Sequence, residues 1–102
     1  MGMYLEDHVE VPGSEHVIYV STVQLPGSDR YETAVFLNSG GATDWDGAYG
    51  RQYYTSSDAR KGHTEAVWLV HEAVSMLVRN NKTLRGTRAL IRLFQQARRH
   101  RH

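Results

Sequence analysis

The stretch from Thr55 to Asn80 constrains this chain most, because its apolar spacing admits only a long, one-sided helix. It opens on Thr55-Ser56-Ser57-Asp58, a capping-box pattern in which a hydroxyl accepts from an orphan backbone N–H and the acid three residues on reciprocates. At about 100° per residue, Ala59, His63, Ala66, Val67, Val70, Ala73, Val74, Leu77 and Val78 gather on one face around Val70, and that face is expected to be buried. Lys61, Glu65, Glu72 and Ser75 fall opposite, and so does Trp68, a large ring on a polar face. Asn80-Asn81-Lys82 supplies residues that tolerate a left-handed C-terminal cap.

A helix of this kind needs a sheet to cover, and the residues before it supply one. His16–Leu25 is rich in β-branched and aromatic residues and runs into Pro26-Gly27-Ser28-Asp29, a turn with glycine where φ is positive. The returning strand, Arg30–Asn38, places Tyr31, Thr33, Val35 and Leu37 on one side and Glu32, Ala34, Phe36 and Asn38 on the other. The side of Val35 and Leu37 is expected to meet the helix. Ser39–Gly50 has four glycines, two aspartates and neither period, which reads as a long loop carrying Trp45. Arg51–Thr55 is expected to be a third short strand, and the first fifteen residues an edge strand or an ordered arm. Thr83 or Thr87 opens a second helix, expected over 84–99, with Leu90, Leu93, Phe94 and Ala97 as its apolar stripe and Ile91 at the edge.

The fold class expected is therefore α+β: a three- or four-stranded antiparallel sheet packed on one long helix, with a basic amphipathic C-terminal helix. At 102 residues the chain is long enough for one domain, with 16–80 as sheet and long helix and 83–102 as basic helix and tail. The absence of cysteine excludes disulfides, thiolate catalysis and zinc ribbons. The opening residues lack the basic-then-apolar order of a signal peptide, and no apolar run is long enough to span a bilayer, so an intracellular protein without a membrane partner is expected.

Charge is divided along the chain. Residues 1–72 carry all eleven acids against four Lys/Arg, a net −7, and residues 73–102 carry eight Lys/Arg and no acid, a net +8. Arg85, Arg88, Arg92 and Arg99 fall along one side of the second helix. Such a division points to a polyanion or to an acidic protein surface, which another copy of the same chain would also provide.

Catalytic and metal templates do not fit. His63, Glu65 and His71 lie at helical angles too divergent to share an ion, so His63 reads as a structural histidine hydrogen-bonded to the sheet. Asp44 and Asp46 read as solvated turn acids, and the glycines of 40–50 lack the Lys-Ser/Thr of a phosphate loop. Tyr19, Tyr31 and Tyr53 are accounted for by strand packing. Trp68 and Trp45 are not, and together with Arg85, Arg88, Arg92 and Arg99 they are the expected partner-binding residues, since exposed aromatics and arginines are enriched at interface centres. No catalytic residue, cofactor or metal is expected.

Tyr31-Glu32-Thr33-Ala34-Val35-Phe36, Tyr54-Thr55 with Ala59, and Gly62-His63 at the head of the helix resemble a group of small uncharacterised actinobacteriophage proteins. In those a Glu-Thr-Met-Val-Phe strand precedes a strand and a helix carrying Ala-x-x-Gly-His. The likeness spans residues 31–67, with Ala34 in place of the usual methionine. It implies a strand–strand–helix module in a phage context and brings no active site with it. The expectation is a non-catalytic phage protein working through contacts with other protein subunits, as a component of the virion made in the host cytoplasm. The alternative is a nucleic-acid-binding or host-interacting regulatory protein that uses the same arginines.

Overall fold

The computed structural model describes residues 3–99, which form four strands followed by two helices: β1 Tyr4–Glu10, β2 His16–Gln24, β3 Tyr31–Ser39, β4 Ala42–Tyr53, α1 Ser56–Arg79 and α2 Thr87–Arg99. The strands make one antiparallel meander in the order β1-β2-β3-β4. Each connection is a tight turn with a glycine at positive φ, and the β2–β3 turn closes with the Ser28 N–H donating to the Leu25 carbonyl across Pro26-Gly27.

The fourth strand corrects the expected loop over 39–50. Gly40 and Gly41, both at positive φ, make a two-residue hairpin after Ser39, and the Asn38 side chain caps it by accepting from the Gly41 N–H. The strand that follows is 12 residues long, and the short strand expected from Arg51 is its last part. Its period is hidden in the sequence because the ladder is interrupted. Val35 pairs with Tyr49 and Leu37 with Asp44, so Phe36 stands alone against residues 45–48, with Gly47 at φ 75° in the bulge.

Both helices lie on one face of the sheet, and a single core runs between the layers. Ile18 and Val20 of β2 and Val35 and Leu37 of β3 meet Ala66, Leu69, Val70, Ala73 and Leu77 of α1, with Leu84, Leu90, Phe94 and Ala97 closing one end. The side of β3 expected to face the helix does so. Thr55 caps α1 by accepting from the Asp58 N–H (3.1 Å), and the helix ends on Asn81 at φ 52°, with the Lys82 N–H returning to the Leu77 carbonyl.

Two expectations for α1 need correction. The buried face is Ala59, Gly62, His63, Ala66, Leu69, Val70, Ala73, Met76 and Leu77. This is turned by roughly 50° at 100° per residue away from Val78, which is 60% exposed. The cause is α2, which packs along α1 on the flank of Met76. Trp68 is half-buried and packed against the core rather than free on a polar face.

Tyr53, at the end of β4, presses its ring against Gly62, and among the described residues nothing hydrogen-bonds to its buried hydroxyl. Burial first, then the neighbouring Tyr49 phenol, pushes its pKa up to about 12, while the Arg51 cation opposes the rise. An unfolded tyrosine ionises near 10, so between pH 10 and 12 the unfolded state releases a proton that the folded state keeps. Stability is therefore expected to hold below pH 10 and to fall from there toward 12. A phenolate absorbance titration should show one of the six tyrosines ionising late, and Tyr53→Phe should remove that step. A titration in which Tyr53→Phe removes no late step would contradict the packing.

Candidate functional site

The face of the sheet turned away from the helices carries what this chain has to offer a partner. Strand alternation and the register fix its composition. His8 pairs with Tyr19, Tyr19 with Phe36, and Phe36 faces the bulge from which Trp45 projects, so one ring from each strand forms an aromatic band across the sheet. The His8 and Tyr19 ring centroids are 5.8 Å apart, and Phe36 and Trp45 meet edge to face at 5.3 Å. The next row, Glu6, Ser21, Ala34 and Gly50, is small from β2 to β4 and leaves a trough beside the band. Tyr4, Glu6, Tyr19, Ser21, Phe36 and Trp45 border a shallow groove there of about 240 Å³. The Tyr4 hydroxyl donates to the Glu6 carboxylate and holds it at the rim.

Trp45 is 75% exposed and Tyr4 61%. None of the outward positions of the four strands is Lys or Arg, whereas Glu6, Glu10 and Glu32 are among them. The face is aromatic and acidic, a combination that attracts cations over ring faces and repels phosphate.

Trp45 is positioned by the bulge. The Asp44 carboxylate turns to the helix side, where it accepts from the Thr87 hydroxyl (2.6 Å) and from the Asp46 N–H (3.1 Å). These bonds, the Thr87 one above all, hold its pKa below the ordinary carboxylate value. With Asp44 pinned to the first residue of α2, alternation sends Trp45 to the open face. Asp44 thus serves as an anchor, and no cluster of three metal-ligating side chains occurs among the described residues.

The other expected contacts lie elsewhere. Arg85, Arg88, Arg92 and Arg99 are exposed and, among the described residues, form no ion pair with the acids of their own chain. They belong to α2 and the segment leading into it, on the helix side, so the structure does not bring them together with Trp45.

A second polar constellation went unread in the sequence. His63, 6% exposed as its structural reading requires, takes Asp7 at Nε2 and Thr22 at Nδ1, both at 2.7 Å, and Thr22 meets Thr33 at 2.6 Å. Every proton in the chain has an acceptor when Thr33 donates to Thr22, Thr22 to Nδ1, and Nε2–H to the Asp7 carboxylate. The order acid–imidazole–hydroxyl is that of a nucleophilic triad, but Thr22 is 0% exposed beneath α1, out of reach of a substrate. The arrangement is a clasp from edge strand β1 to α1. Asp7 and His63 are 56 residues apart, and no local pattern could have paired them.

Compared with protein-family models, with curated proteins and with solved structures, the chain matches none.

Proposed function

We propose that this chain is a non-catalytic binding protein that works through protein–protein contact, its open sheet face seating the cationic surface of a partner subunit. The observation that carries the reading is the aromatic band His8, Tyr19, Phe36 and Trp45 beside acidic Glu6, with neither helix over it. Interface centres are rich in such rings. The resemblance of residues 31–67 to small actinobacteriophage proteins supports a phage setting, and a component of the virion is the role we propose. The long α1 then serves as the rigid back of the platform, and the basic amphipathic α2 as a second contact surface.

The arginines of 85–99 favour one alternative, a nucleic-acid-binding or host-interacting regulatory protein. A salt titration with labelled duplex DNA, beside sedimentation of the protein, separates the two. On the protein-contact reading, duplex binding is feeble at physiological salt, and Trp45→Ala with Phe36→Ala weakens association by about 2 kcal/mol or more. A log–log salt slope near −4, flattened by about two units in Arg88→Ala/Arg92→Ala, with a monomeric protein, would favour the alternative.

A further inference from the structure

The partner of the open face can be named from the chain's own chemistry. Resting on the protein-contact reading above, we propose that the groove bordered by Glu6, Tyr19, Phe36 and Trp45 receives the arginine-bearing C-terminal helix of a second copy, joining chains head to tail.

Three observations lead there. The first is complementarity. The outward strand positions hold Glu6, Glu10 and Glu32 and no Lys or Arg, with Arg30 of the β2–β3 turn reaching Gln52 at one end of the face, while residues 73–102 carry eight Lys/Arg and no acid. The second is how arginine already behaves in this molecule. Arg30 lies over Tyr54, Arg51 over Tyr53 and Arg98 over Tyr49, with guanidinium-to-centroid distances of 5.9, 5.9 and 5.2 Å. Its arginines use ring faces, and among the described residues none of these three bridges to a carboxylate. Arg88, Arg92 and Arg99 are exposed and, among the described residues, have no such ring, and the open face has rings with no such arginine. The third is geometry. α2 packs on α1 and β4, on the opposite side of the sheet from the groove, so one copy cannot satisfy its own face. The contact joins two different surfaces, which is a heterologous interface, and it propagates into a ring or an open chain.

The experiment is sedimentation of the full chain over a concentration series with two variants. One, Phe36→Ala/Trp45→Ala, disables the face, and the other, Arg88→Glu/Arg92→Glu, disables the helix. The wild type is expected to form oligomers beyond the dimer. Each variant alone should be monomeric, its association constant lowered at least about 30-fold, as loss of a central aromatic contact would give. An equimolar mixture should recover a heterodimer and stop there, because it retains one intact face and one intact helix. Circular dichroism and melting of both variants guard against a folding defect. If either variant unfolds, the single changes Trp45→Ser and Arg92→Ser take its place.

Oligomers that stop at a dimer, or a mixture that stays monomeric, would overturn head-to-tail joining. A wild type that is monomeric throughout would overturn self-recognition. In that case nona-arginine peptide distinguishes the two levels. Protection of Trp45 from a soluble quencher by that peptide would leave the cationic-partner reading standing, and no protection would remove it too.

Discussion

Val70→Asp is expected to leave the chain largely unfolded. Val70 is 0% exposed at the middle of α1, in one cluster with Ile18, Val20 and Val35, and the valine contributes about 1.5–3 kcal/mol by leaving water. Aspartate forfeits that term and adds an unpaired charge, since among the described residues no Lys or Arg is buried in the core. The sum exceeds about 4 kcal/mol, the class of change few domains survive, against the 5–15 kcal/mol typical of a domain's whole stability. At about 4–8 °C per kcal/mol for a chain near this size, the melting midpoint should fall by some 15 °C or more. An unchanged midpoint would mean that the face of α1 centred near Val70 does not meet the sheet.

Gly62→Ala should also be costly, against the direction that helix propensity alone gives. Alanine is better than glycine inside a helix by about 1 kcal/mol, and Gly62 lies within α1. Yet a Cβ there would stand 2.1 Å from both Cζ and the hydroxyl oxygen of Tyr53, a stiff ring held at the end of β4. Overpacking of this kind costs about 1–3 kcal/mol and occasionally more, and a net loss of about 2 kcal/mol is expected. The sign should reverse when the ring is removed. In a Tyr53→Leu background Gly62→Ala should be neutral or stabilising by up to about 1 kcal/mol, because only the propensity term remains. Urea melts of the four combinations measure this cycle, and strictly additive losses would show that the ring and the glycine are not in contact.

What could be read from the sequence was what local chemistry determines. Thr55 as a cap, a left-handed terminator within Asn80-Asn81-Lys82, Pro26-Gly27 as a turn and the side of β3 bearing Val35 and Leu37 all follow from a few neighbouring residues. His63 could be placed against the sheet, but its partners Asp7 and Thr22 belong to strands far away in sequence. The first part of β4 was hidden because the bulge at 45–48 and the exposed edge erase the two-residue period. With that part unread, Tyr19 and Phe36 looked like ordinary strand residues, and the band they form with His8 and Trp45 could not be assembled. Trp45 was expected to be exposed as part of a polar loop; it is exposed, but from the bulge of β4, where it meets Phe36. Trp68 was not, because a helical wheel of α1 carries no information about which elements will pack beside its polar face.

The central claim is that the open face of the sheet is a protein-contact surface, and Trp45 reports on it directly. In a Trp68→Phe background Trp45 is the one remaining tryptophan, and its 75% exposure should give a solvent-like emission maximum and ready acrylamide quenching in the dilute chain. On assembly with its partner subunits, emission should shift to the blue and quenching should fall several-fold. An assembly that forms while Trp45 stays as quenchable as in the dilute chain would contradict the account.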